Sequence, residues 1–260
     1  MNILRAARAT ALFELTRSLT PGRLASSLIL ALFPPTMMGL ILFASGFSLP
    51  TEFVIMLTVF MVILLSLMLW ASPVVYAELE GKTWIYLASR PKGRISTVLG
   101  KYAIAVFWSF TVGWSAMTIC VIFNSTIGSP REKLHVWLVF SLLIALAGIT
   151  YAAVFILIGA LFHRRAMVFC AGYILLSEIV LPNVPAVISR FTVRYHLFSL
   201  ALDLLPQKLI GANEDSLVQN LYNRQPAWLD ILMLVLITCL ALGATAFTLQ
   251  SREYLTADEA

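Results

Sequence analysis

The chain is poor in charge. Of its 260 residues only 12% are Asp, Glu, Lys or Arg, whereas a soluble domain carries about 25%. A domain of this size must show much of its surface to water, so this scarcity excludes an ordinary soluble protein. Cysteine is scarce too. Cys120, Cys170 and Cys239 are odd in number, lie inside apolar blocks and lack CxxC spacing, which excludes a disulfide framework and reads as small buried hydrophobes. Signatures of catalysis are missing: neither G-x-S-x-G nor H-E-x-x-H occurs. Gly81-Lys82-Thr83 ends like a phosphate-binding loop, but Tyr76 stands where that loop needs its first glycine. No internal repeat or low-complexity tract is evident.

What is abundant is apolar side chain. Sixty per cent of residues are hydrophobic, which excludes disorder. Six long apolar blocks can be read, at 25–47, 53–76, 102–127, 136–162, 166–189 and 231–249. A lipid crossing takes roughly 20 helical residues with few charges. Five blocks hold no charged residue and the fifth in order holds one, Glu178. Lipid offers backbone groups no hydrogen-bond partner, so the blocks are expected to be helices. The expected fold is an all-α integral membrane protein with six transmembrane helices in a single transmembrane domain, 1–260. The Pro34-Pro35 pair is expected to kink or break the first span.

Lys and Arg set the orientation. Arg5, Arg8, Arg17 and Arg23 precede the first span, and Lys82, Arg90, Lys92, Arg94 and Lys101 follow the second. Arg164 and Arg165 follow the fourth, and Arg252 follows the sixth. The alternate side holds only Arg131, Lys133, Arg190, Arg194, Lys208 and Arg224. Both termini are therefore expected in the cytoplasm, and the net charge of +5 reads as topology rather than nucleic-acid binding. His135 and His196 fall outside and His163 inside, so they form no ready cluster. Residues 2–17 fit an amphipathic helix on the inner surface. Leu4, Ala7, Ala11 and Leu15 share a face, although Arg8 spoils the pattern.

Glu178 lies about 12 residues into its span, hence ~18 Å deep. An acid there should face the bundle, pair or be protonated. It reads either as a group lining a transport path or as a structural hydrogen bond beside Pro182 and Pro185. No partner is visible in the sequence. In the outer segment 190–230, the run 197–205 is apolar but too short to cross, with Asp203 in it and Pro206 after it. It is a candidate re-entrant helix.

The inner loop 78–101 reads ELEGKTWIYLASRPKGRISTVLGK. Trp84, Leu87 and Ala88 fall at helical spacing, Glu78 and Glu80 sit near the start where the helix dipole favours acids, and Arg90-Pro91-Lys92-Gly93 is a breaker. A second helical stretch runs from Arg94 through Lys101 into the third span. This loop resembles that of type-2 ATP-binding-cassette exporter permeases, which commonly reads E-x-E-x-x-T-[LW]-x-x-L-x-x-x-P-x-x-R-x-x-x-x-x-G-K. The matching residues are Glu78, Glu80, Thr83, Trp84, Leu87, Pro91, Arg94, Gly100 and Lys101. One departure is Lys82, where many relatives have glycine. The motif covers some 24 residues, and the six-span plan, basic N-terminal segment and long last outer loop extend the likeness.

The resemblance implies a permease subunit of the bacterial inner membrane that exports a substrate the sequence does not reveal. It implies no catalysis and no bound cofactor of its own. A separate ATP-binding-cassette ATPase subunit would bind ATP and Mg. Two permease subunits, as homodimer or heterodimer, would pair in the bilayer. Glu78, Glu80, Thr83, Trp84 and Leu87 would form a coupling helix in an ATPase groove, with Pro91 at the turn. Arg94 and Lys101 would hold the next helix at the inner surface. Two other readings remain: an ion-coupled secondary transporter using Glu178, and an integral membrane enzyme acting on lipids.

Overall fold

The computed structural model describes residues 3–46, 51–80, 93–124, 129–181, 190–205 and 226–251. Every regular element among them is helical. In chain order they are α1 (Ile3–Ser18), α2 (Pro21–Ser45), and α3, which runs from Thr51–Ile55 through a π-helical stretch Met56–Val62 into Ile63–Trp70. Then come α4 (Tyr76–Glu80), α5 (Gly93–Phe123) and α6 (Pro130–Leu161). A short turn, His163–Arg165, leads into α7, which is Ala166–Tyr173 continued by a π-helical stretch Ile174–Val180. The last two are α8 (Val193–Leu204) and α9 (Ala227–Ser251).

Local chemistry sets the ends. Pro21 opens α2, where its missing N–H is no loss. Gly46 closes it at φ 70°, a left-handed conformation that costs a residue without Cβ little, and returns its N–H to Leu42. Ser129 and Glu132 form a capping box at the start of α6, with Pro130 in the first turn. Pro34 and Pro35, expected to kink or break the first span, sit inside a helix assigned without interruption. In an apolar surrounding, neighbouring groups and local adjustment of the turn, rather than bulk water, must satisfy the carbonyls that the two prolines leave open.

Among the described residues, five helices are long and apolar enough to cross a membrane: Pro21–Ala44, Phe53–Trp70, Gly93–Phe123, Pro130–Leu161 and Ala227–Ser251. The fifth expected span, 166–189, is described only as far as Leu181 and includes α7. Its remainder, with Pro182 and Pro185, lies outside the described residues. The third span begins earlier than its apolar block, because the stretch from Arg94 through Lys101 is continuous with it.

The core follows α3, α5 and α6. The apolar windows of α3 and α6 are 59% and 61% buried, and those of α2 and α9 only 22%. The outer helices instead expose Leu28, Ile29, Phe43, Leu236, Leu240 and Phe247, a surface suited to lipid rather than water. Cys239 is on that exposed surface rather than buried as its apolar block suggests, while Cys120 and Cys170 are buried. Gly148 and Ala152 serve close packing inside the bundle, and a Cβ at Gly148 would stand 3.1 Å from Ser109 Oγ on α5.

Of the long helices, α2 and α5 run one way and α3, α6 and α9 the other. At one end, Arg94 Nη1 donates to the Leu249 carbonyl at 3.0 Å, and Trp70 stacks on Trp108. At that same end, the position a Cβ would take on Gly159 is 2.7 Å from the Ser72 carbonyl oxygen. At the other end, Lys133 Nζ donates to the Ile122 carbonyl at 3.2 Å and His135 Nε2 meets the Leu204 carbonyl at 3.0 Å. The first end carries α1 and is called the α1 end below.

Candidate functional site

The α1 end is built on small residues. Along α1, Ala6, Ala7, Thr10, Ala11, Glu14 and Leu15 are half-buried and Ser18 is buried, whereas Arg5, Arg8 and Arg17 are exposed. The small-residue face is the one the helical period marks out, and Arg8 lies outside it. That face is taken up by α5 rather than left for a membrane surface. Gly100 makes the approach possible. A Cβ there would stand 2.7 Å from the Ala7 carbonyl oxygen, 2.8 Å from Thr10 Cβ and 3.0 Å from Ala11 N. Further along, Trp108 Nε1 donates to Ser18 Oγ at 2.9 Å. Ala7 therefore lies near Gly100 and Ser18 near Trp108, so α1 runs beside α5 in the same direction.

One residue after Gly100, Lys101 is 7% exposed and ion-paired with Glu78 of α4. It also lies 3.4 Å from Glu14 of α1, and its Nζ donates to the Val74 carbonyl at 3.5 Å. One ammonium thus stands between two carboxylates from different helices. A cation buried among hydrocarbon is tolerable only with such partners. Glu78 and Lys101 bracket the loop that the sequence marks as the coupling element, and their pair draws its two ends together. Arg94, half-buried, ties the start of α5 to the end of α9. Glu80 is exposed. Thr83, Trp84, Leu87 and Pro91 lie outside the described residues.

A second polar cluster is enclosed by the bundle. Glu178 is 2% exposed. Its Oε2 accepts from Tyr151 Oη at 2.6 Å, and its Oε1 from Ser177 Oγ at 3.2 Å. The Arg194 guanidinium of α8 donates to the Glu178 main-chain carbonyl and lies 5.4 Å from the Phe60 ring centre. The acid for which the sequence offered no partner is therefore fully engaged. Glu178 and Phe60 belong to the two π-helical stretches, of α7 and α3. Such widened turns release main-chain carbonyls from the regular ladder, and Arg194 takes up one of them.

α8 is buried on nearly every side, from Val193 to Leu202 with only Arg194 half-buried. Besides Arg194, it is held by His196, whose Nδ1 is 2.8 Å from Asp230 Oδ1 of α9. Asp230 is fully buried, and its Oδ2 has no hydrogen-bond partner among the described residues. Leu204 reaches His135, near the start of α6. The apolar run read from the sequence as too short to cross is thus a helix lodged in the end of the bundle opposite α1.

Sequence reasoning singled out Glu78, Arg94, Lys101 and Glu178 but missed their partners. Glu14 carried a usable signal: it is the one acid of the N-terminal segment and lies three residues past Ala11 on the same face. Tyr151, Arg194 and the His196–Asp230 pair carried none, because each contact joins distant segments. Among the described residues, no three His, Cys, Asp or Glu side chains are grouped to hold a metal ion. Compared with known proteins, the chain matches no family model, no curated protein and no solved structure.

Proposed function

We propose that this chain is the permease subunit of an ATP-binding-cassette exporter of a bacterial inner membrane, driven by a separate ATPase that binds ATP and Mg. Two such permeases pair in the bilayer, and the 78–101 loop faces the cytoplasm with both termini. The observation that supports the reading furthest is the Glu78–Lys101 pair. It pins the two ends of the loop to each other and, through Glu14, to α1. Beyond Lys101, α5 continues without interruption to Phe123. Its 31 residues amount to about 46 Å of helix. A displacement of the loop therefore moves α1 and α5 together rather than being lost in a slack connection. ATP binding and release would then favour one or the other of two bundle arrangements by differential stabilisation.

The test is the double variant Trp84→Asp/Leu87→Asp. It is expected to insert and fold normally but to lose co-purification of the ATPase. Undiminished co-purification overturns the reading, as does labelling that finds the loop on the outer face. A second reading has its own observation: Glu178, enclosed with Tyr151, Ser177 and Arg194 beside two π-helical stretches, suits the proton or cation site of an ion-coupled carrier. Transport that follows an ion gradient and needs no ATPase would favour it.

A further inference from the structure

Beside the Lys101 cluster, between the α1–α2 corner and the ends of α3 and α5, is a cleft with room of about 50 Å³. That suits a small polar group rather than a whole lipid. Arg17 and Arg23 stand on it, over a floor that includes Trp70, Pro73, Ile104 and Ala105. Glu14 and Lys101 also reach its wall, but they are engaged with each other at 3.4 Å. Arg17 is 54% exposed and forms a long ion pair with Glu14 at 3.8 Å. Arg23 is exposed and stands over Trp70, its Cζ 5.2 Å from the ring centre. Trp70 is in turn stacked on Trp108 at 5.2 Å and 6°. Two exposed guanidinium groups, one of them over an aromatic ring, thus stand at one cleft, and guanidinium is a strong donor to oxyanions. The same corner holds the start of α2, whose Thr20 cap makes no side-chain hydrogen bond, adding positive partial charge.

We propose that this cleft binds the phosphate of an anionic phospholipid. The chemistry recognised is a phosphate oxyanion, which a soluble phosphate shares. The surroundings favour the lipid. α2 leaves the cleft with Leu24, Leu28 and Ile29 exposed at 39%, 60% and 68%, a ready surface for fatty chains. Tryptophan with arginine at the head of an apolar helix is also the composition of a membrane interface. A lipid held there would brace the corner on which α1, α3 and α5 meet. The proposal goes beyond the exporter reading and requires no ATPase.

The experiment titrates the purified full chain in detergent with phosphatidylglycerol or phosphatidylcholine and measures retained lipid by native mass spectrometry. Phosphatidylglycerol is expected to be retained in preference. Arg17→Gln/Arg23→Gln should weaken its retention about tenfold, since each basic group near an anionic headgroup contributes several-fold. The milder Arg23→Gln is expected to show part of the loss and serves if the double variant unfolds. Arg5→Gln/Arg8→Gln removes the same charge from exposed positions that do not line the cleft, and should retain lipid like the wild type. Equal retention of the two lipids, or equal loss in both double variants, overturns the site. Displacement of the lipid by millimolar inorganic phosphate assigns the cleft to a soluble anion and overturns the lipid. Because no ATPase takes part, a failure here is separate from a failure of the coupling test.

Discussion

The two ends of the bundle solve the same problem in different ways. Each buries charge among apolar helices. At the α1 end, a single lysine joins three helices, α1, α4 and α5, and with Glu78 it flanks a long loop. At the opposite end, two cationic-type side chains two residues apart on α8, Arg194 and His196, reach separately to α7 and α9. The first arrangement ties the bundle to a segment that leaves it. The second locks one short helix in place from within. Buried pairs are poor sources of net stability, because the desolvation of both partners offsets their attraction, but breaking one leaves an uncompensated charge. The charged groups at both ends are thus better read as specifying which helices meet than as strengthening the fold.

Lys101→Met is the most severe test of the comparison. It leaves Glu78 buried and Glu14 half-buried without this lysine and is expected to cost about 3–5 kcal/mol in detergent unfolding. Adding Glu14→Gln and Glu78→Gln should restore most of that loss. A single Lys101→Met variant as stable as the wild type would show that the lysine does not organise this end. His196→Leu is next, because Asp230 then loses its buried partner. A loss of about 3 kcal/mol is expected from the same principle, with α8 rather than α1 becoming accessible to protease.

Gly100→Val probes packing alone at the α1 end. Its side chain must displace α1 backbone, so a cost of roughly 1–3 kcal/mol is expected. Trp108 emission should shift as Ser18 moves away, and an unchanged spectrum would detach α1 from α5. The smallest effect is expected inside the bundle. Glu178→Leu strands the Tyr151 hydroxyl and should cost about 1–3 kcal/mol, whereas Glu178→Gln keeps the contacts and should cost under about 1 kcal/mol. Equal losses in the two variants would mean that the negative charge, not the hydrogen bonding, is what the site holds.

Much of the helical plan was legible because it rests on short-range signals. Apolar runs free of charge mark α2, α3, α5, α6 and α9, and some ends carry their own stop or cap, as at Gly46 and Ser129. The small-residue face of α1 was readable from its 3.6-residue period. The α1 face was misassigned to a surface, since periodicity shows which side is buried and not what buries it. Of the two outcomes expected at Pro34-Pro35, a break does not occur, because the helix is continuous there. At the candidate sites, residue type marked Lys101 and Glu178 as costly to bury but could not say who neutralises them.

By itself, the sequence determined that this is a helical chain made for a nonpolar surrounding. That follows from composition and period, which act residue by residue. Only the tertiary structure decided that Lys101 sits between Glu14 and Glu78, that Gly100 admits α1, and that Tyr151 and Arg194 close around Glu178. Those outcomes depend on which distant helices meet at ångström range. Electrostatic and steric energies vary steeply there, and no local pattern encodes them.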